Sequence, residues 1–251
     1  MHCPKCGAAQ PDGTTICRQC GIVFEKYWKY HLRPGEAAPP VARPDLEVTA
    51  DSSRPPWREL VLPPTTDADP LTAWARAVLL GILIIWGLPL IGSSVDSNAV
   101  GQSFLHLINL PFHEAGHVLF RPFGAFITSL GGTLGQLLMP LICLLVLLLK
   151  THDPFGAAVA LWWFGENFLD IAPYINDARA GVLPLLGGNF GHSSPYGFHD
   201  WEFILTESGL LHLDQQIAQF SHMTGAFMML AAMVWGGLLV HRQMHAAKDA
   251  R

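Results

Sequence analysis

Charge is scarce in this sequence. Asp, Glu, Lys and Arg make up 14% of its 251 residues, hydrophobic residues make up 50%, and the mean hydropathy is +0.30. Soluble domains carry about 25% charged residues, so these values favour a small membrane protein of several spans. The net charge is −5 and no long basic run occurs, which gives no reason to expect nucleic acid as a partner. No apolar stretch precedes residue 70, so a secretory leader is not expected and insertion would fall to the first true span. Internal repeats of the transporter kind are not evident. Nor are there several histidine-rich motifs on separate segments, as a di-iron oxygenase or desaturase would need.

Cysteine is sparse but organised. Four of the five cysteines form two C-x-x-C pairs, Cys3/Cys6 and Cys17/Cys20, each followed by glycine (Gly7, Gly21). Matching knuckles joined by the turn Pro11-Asp12-Gly13 suit a tetrahedral site of four thiolates better than disulfides or a redox dithiol. Residues 1–30 therefore read as a zinc ribbon in a reducing compartment, with the metal supplying much of the folding energy of so short a segment. Cys143 stands alone in an apolar run and reads as a packing residue. Residues 31–70 carry nine prolines from Pro34 to Pro70 and read as an extended linker.

Residues 71–245 read as a mainly helical, multi-span membrane domain. A first span runs from about Thr72 to Ile91, long enough to cross a bilayer core. An apolar run from Phe104 to Phe120 follows, interrupted by Pro111 and ended by Arg121-Pro122-Phe123-Gly124. Ala125 to Thr133 reads as a strand or re-entrant loop, with Gly131-Gly132 near an edge that an extended peptide could pair with. Leu134–Leu149, Pro154 to about Ile171, and Ile217–Val240 complete the spans, and 173–217 is a long connecting loop. The cysteines put the N-terminus in the cytoplasm. By the positive-inside rule, the tail residues His241, Arg242, Lys248 and Arg251 belong there too. Five full crossings cannot satisfy both: either the 104–120 segment enters without crossing, or the rule fails for the tail.

The chemistry concentrates in Phe112-His113-Glu114-Ala115-Gly116-His117-Val118. Residues four apart share one helix face. His113 and His117 can thus offer two imidazoles to one metal, with Glu114 beside them to take a proton from bound water, the HExxH arrangement of zinc hydrolases. A carboxylate unpaired in such an apolar segment costs about 2.5–3.5 kcal/mol, and a bound metal offsets that. A catalytic zinc takes three protein ligands. Asp170, at the end of the fourth apolar run, is the first choice for the third and Asp177 the second, the competing role for Asp170 being an ion pair with Arg179. Glu166 and Asn167 lie near Asp170 and would support metal or substrate. In the long loop, His192, His199 and Asp200 either approach the site as a lid or are ordinary solvated groups. His106, Asn109 and His222 are candidate partners that packing explains equally well.

These residues resemble the site-2 protease family of intramembrane zinc metalloproteases. The resemblance rests on HEAGH in an apolar helix, on the glycine-containing stretch Gly131-Gly132-Thr133-Leu134-Gly135-Gln136, and on Leu169-Asp170, and it covers roughly 103–172. Gln136 stands where the family usually has Asn, and Ile171 replaces the glycine that usually follows the aspartate. The resemblance implies a catalytic zinc besides the structural one in the ribbon, Asp170 as third ligand, Glu114 as general base, and a membrane-embedded or juxtamembrane polypeptide as substrate. The location it implies is the cell (inner) membrane, multi-pass, with the ribbon cytoplasmic. The competing reading is a catalytically inactive membrane scaffold that uses its ribbon to bind partner proteins.

Overall fold

The computed structural model describes residues 1–31, 57–64 and 69–249, and the chain divides into two compact units, Met1–Arg54 and Pro55–Arg251. Most of the expected linker 31–70 lies outside the described residues. Among the described residues no strand forms, only isolated bridges.

In the first unit, bridges join His2 to Ala9 and Ile16 to Val23, one at each knuckle, and helix α1 (Phe24–His31) closes the segment. The amides of Gly7 and Gly21 donate to the carbonyls of Cys3 and Cys17, both at 2.9 Å. Each turn needs a left-handed residue, φ +75° at Gly7 and +70° at Gly21, which is why glycine follows each pair. Phe24 is fully buried against Cys3 and Cys17, so the small core is built on the thiol cluster itself.

In the second unit, a short helix α2 (Trp57–Val61) forms within the expected linker, and Trp235 Nε1 donates to the Val61 carbonyl at 2.9 Å. Helix α3 (Pro70–Gly92) is capped by Asp69, whose carboxylate accepts from the amides of Leu71 and Thr72, with Pro70 in the first turn where no amide is needed. Then come α4 (Phe104–Phe120), α5 (Ala125–Leu149), α6 (Pro154–Asn176), α7 (Asp200–Glu207) and α8 (Asp214–Asp249). Three helical segments are long and apolar enough to cross a membrane: Pro70–Gly92, Ala125–Leu149 and Leu211–Lys248. Helix α6 is long too, but Glu166, Asn167 and Asp170 sit on it, and all three are buried.

The stretch 125–133 is helical, not a strand or re-entrant loop, and offers no edge to a peptide. Glycine costs a helix about 0.5–1 kcal/mol per residue, but here it lets two backbones meet. Gly116 of α4 lies directly against Gly131 and Gly135 of α5, and Gly165 of α6 likewise meets Gly225 of α8. Helix α4 runs on through Pro111 and stops at Arg121-Pro122, with Gly124 at φ +92° before α5 begins.

The helices run between two ends. At one end Arg76 of α3 binds Asp153 just before α6 at 3.1 Å, and Arg242 near the end of α8 lines the same cavity. At the other, Asn176 at the end of α6 donates to Asp96 at 2.9 Å, and Arg179 binds Asp214 at the start of α8 at 2.6 Å.

Candidate metal centres

In the first unit, Cys3 Sγ lies 3.6 Å from Cys20 Sγ and Cys6 Sγ lies 3.7 Å from Cys17 Sγ. Zinc–thiolate bonds of about 2.3 Å in a tetrahedron separate the sulfurs by about 3.8 Å, so the cluster is sized to hold an ion. The amide of Cys20 donates to Cys17 Sγ at 3.4 Å and brings the Cys17 thiol down to about 6. Cys6 moves the other way, up to about 12: the Ala8 amide lowers it, but desolvation and the three neighbouring thiols together outweigh that.

The second centre is built where α4 crosses α5. His113 and His117 point from α4 toward Gly132 of α5, and a Cβ there would overlap Nε2 of both rings. Each ring is held by its other nitrogen. His117 Nδ1 donates to the Thr128 carbonyl at 2.8 Å, since a carbonyl can only accept. His113 Nδ1 lies 2.9 Å from Gln136 Oε1. A chain of obligate donors and acceptors settles how that amide is oriented. The Trp163 indole can only donate, and it gives its proton to Asn109 Oδ1 at 2.9 Å. Asn109 Nδ2 then donates to Glu166 at 2.9 Å and to Asp170 Oδ2 at 3.0 Å. Gln136 Nε2 also donates to Asp170 Oδ2, at 3.2 Å, which leaves Oε1 to accept from His113.

With Nδ1 carrying the proton in each ring, a neutral imidazole would turn a bare Nε2 outward, and both Nε2 atoms meet the same oxygen. Asp200 Oδ2 is 3.2 Å from His113 Nε2 and 3.3 Å from His117 Nε2. Three acceptors converging like this repel unless a positive charge sits among them, either a proton on each ring or one metal ion. Metal–ligand bonds of about 2.0–2.1 Å in a tetrahedron separate the ligand atoms by about 3.3 Å. His113, Glu114 and His117 can also bring one ligand atom each within 4.8 Å of one another. Burial raises the Asp200 carboxyl, but hydrogen bonds and charge from His113 and His117 outweigh it and hold the group below the usual carboxylate range.

Asp170, the first choice for third ligand, is elsewhere occupied. Its Oδ1 binds His106 Nδ1 at 2.9 Å and its Oδ2 takes the Asn109 and Gln136 amides, so it reaches His113 only through Gln136. Asp177, the second choice, accepts from the amides of Val182 and Leu183, both at 2.9 Å, and anchors the loop after α6. Its carboxyl is raised by burial but pulled further down by His199 and those amides, ending below the ordinary range. Glu166 joins the Asn109 network, and Asn167 turns its amide back onto the Trp163 carbonyl at 2.9 Å. His199 caps α7 by accepting from the Glu202 amide, stacks on Tyr174 at 4.3 Å, and directs Nε2 to Asp177 at 3.5 Å. His222 binds the Ile91 carbonyl at 3.1 Å and His192 the Gly181 carbonyl at 2.6 Å, neither at the centre.

Tyr174 was not singled out from sequence, and Gly132, read there as part of a peptide-pairing edge, instead faces the two imidazoles. The Tyr174 hydroxyl accepts the Asp200 amide at 3.0 Å and lies 3.4 Å from Asp200 Oδ2. The usable signal for Gln136 was its polarity inside the run Leu134–Leu149; for Tyr174 there was none. The centre opens into a cavity of about 670 Å³ lined by Glu114, Tyr174, Leu183, Leu186 and Phe198. No family model, curated protein or solved structure matches the chain.

Proposed function

We propose that the second unit is a multi-span membrane bundle carrying a zinc peptidase site, a divergent relative of the site-2 proteases. It hydrolyses membrane-embedded or juxtamembrane polypeptides in the cell (inner) membrane. The observation that carries this reading is the convergence of His113 Nε2, His117 Nε2 and Asp200 Oδ2 at 3.2–3.3 Å beside Glu114. In it His113, His117 and Asp200 hold the catalytic zinc, and the four cysteines hold a second, structural one. Acting through Gln136, Asp170 keeps the proton on His113 Nδ1, the arrangement by which outer partners orient metal-binding imidazoles.

A bound zinc supplies an acidified water, of pKa about 7, and polarises the scissile carbonyl. Glu114 lines the cavity as a general base that takes the water proton and returns it to the leaving amine. Tyr174 holds the Asp200 amide and so fixes the start of α7. The apolar wall at Leu183, Leu186 and Phe198 suits an unwound stretch of apolar polypeptide, since a helical backbone hides its carbonyls.

Zinc stoichiometry of the purified chain tests this. Two ions are expected in the wild type and in Glu114→Gln, and one in His113→Ala and Asp200→Ala. Peptide hydrolysis should be absent from Glu114→Gln. A single ion throughout, unaffected by His113→Ala, overturns the peptidase and leaves a catalytically inactive scaffold that binds partner proteins through its ribbon.

A further inference from the structure

We infer that the metal-site cavity opens on the non-cytoplasmic side of the membrane, so that it takes polypeptide presented from that side. This rests on the proposed bundle crossing the membrane, and it follows from how the helix ends pair. Arg76 at the start of α3, Asp153 before α6 and Arg242 near the end of α8 line one cavity. Ser93 after α3, Asn176 at the end of α6 and Gln215 at the start of α8 line another. Helices α3 and α6 thus run from the first end to the second, and α8 runs back.

Helix α4 does not add a crossing. It begins near the end of α3, where Phe104 stacks on Trp86 at 6.5 Å. It hands over to α5 beside Asp200 and α7, both at the second end. The start of α3 and the end of α8 then lie on one side, which removes the conflict between cysteine chemistry and the tail charges.

The two ends differ in charge. The first holds Arg58, Arg76, Lys150, Arg242 and Lys248 against Glu59, Asp69, Asp153 and Asp249. The second holds Asp96, Asp177, Asp200, Glu202, Glu207 and Asp214 against Arg121 and Arg179. Lysine and arginine near span ends favour the cytoplasm, so the first end lies there and the second outside. The cavity belongs to the second end, since Asn98, Leu183 and Asp200 line it.

The wall of that cavity fits such an approach. Residues 180–199 contain no Asp, Glu, Lys or Arg, and Val182, Leu186, Tyr196 and Phe198 are exposed. An uncharged loop with exposed aromatic and aliphatic side chains suits the lipid–water boundary, where a polypeptide leaving the bilayer would meet it.

Cysteine labelling in intact cells tests the sidedness. In a Cys143→Ser background, with that background itself as blank, Thr206→Cys reports on the second end and Thr151→Cys on the first. Both positions are exposed and neither belongs to the site. A membrane-impermeant maleimide should label Thr206→Cys in intact cells and Thr151→Cys only after permeabilisation. A green fluorescent protein fused after Arg251 should fluoresce, as that fold matures in the cytoplasm. Any other labelling pattern, or a dark fusion present at normal level, overturns the inference. Neither readout needs metal or hydrolysis. Failure here leaves the peptidase reading standing, and loss of the second zinc leaves the sidedness standing.

Discussion

The two candidate metal centres are opposite solutions to one problem. The four-cysteine cluster draws its donors from Cys3 to Cys20, with Phe24 packed on the sulfurs as its core. Metal and fold are there nearly the same thing. The proposed histidine centre would take two donors from one helix turn and a third from Asp200, brought in by a loop that Asp177 and His199 anchor. The large bundle around it packs without any ion, so a metal there would only fill a gap between acceptors.

The largest contrast should therefore appear on removing a ligand. Structural zinc contributes about 10–16 kcal/mol to folding in small finger peptides. Cys17→Ser should unfold residues 1–31 and lower the metal content by one ion while α3–α8 stay folded. In His113→Ala the bundle should likewise stay folded. Circular dichroism and amide exchange on each variant check this. A ribbon that stays ordered in Cys17→Ser would erase the distinction.

The next contrast lies within the histidine centre. Loss of an outer partner weakens metal binding by about 10–100-fold, and loss of a ligand should exceed that. Asp170→Asn belongs to the first class. Its amide can donate to Gln136, and the glutamine then flips and presents Nε2 to His113, favouring the wrong tautomer. Asp200→Ala belongs to the second. Zinc titration against a chelator ranks the two, and a larger loss in Asp170→Asn would return the third ligand to Asp170.

That ranking marks where sequence reasoning ran out. Cys3, Cys6, Cys17 and Cys20, and His113 with His117, were legible because their spacing is local: a knuckle or one helix turn fixes who meets whom. Of the five spans read from apolar length, three coincide with helices long and apolar enough to cross a membrane; 104–120 and 154–171 are helices that do not meet that measure. Asp200 was visible only as one polar residue of a long loop, because its approach depends on Tyr174 receiving its amide and on His199 capping α7. Asp170 looked the better ligand because a buried carboxylate in an apolar helix demands partners. It has three of them, His106, Asn109 and Gln136, none of which spacing could assign. The 125–133 stretch misled for a related reason: Gly131 and Gly132 read as helix breakers until α4 lies against them.

Gly132→Ala is smaller in energy but direct. Its methyl would occupy the space of both Nε2 atoms, and overpacking of this kind costs about 1–3 kcal/mol. Thermal unfolding should drop modestly while zinc binding at the histidines is lost and the ribbon zinc stays. Retention of both ions would mean that the rings rotate freely, contrary to the hydrogen bonds on their Nδ1 atoms.

The smallest effect concerns the loop that carries Asp200. Asp177 accepts two amides, and leaving them unpaired should cost about 1–3 kcal/mol locally. Its pKa in the folded chain is below the unfolded value, near 3.9, so its contribution is whole above that value. It is lost as pH falls through the lower, folded pKa. Amide exchange at Val182 and Leu183 should then stay protected from neutral pH to about 4 and weaken below it. In Asp177→Asn, protection should already be reduced at neutral pH and change little on acidification. Acid also releases zinc from the histidines, but that happens in both proteins, so the difference between them isolates the carboxylate. His199, 3.5 Å from Asp177, is the titratable ring facing it, and His199→Gln separates the two. An acid-induced loss of protection that Asp177→Asn leaves intact but His199→Gln removes would assign the anchor to the ring. The ribbon has no counterpart to this: with its metal bound, its turns are held by the thiolates, and no distant loop has to be tied down first.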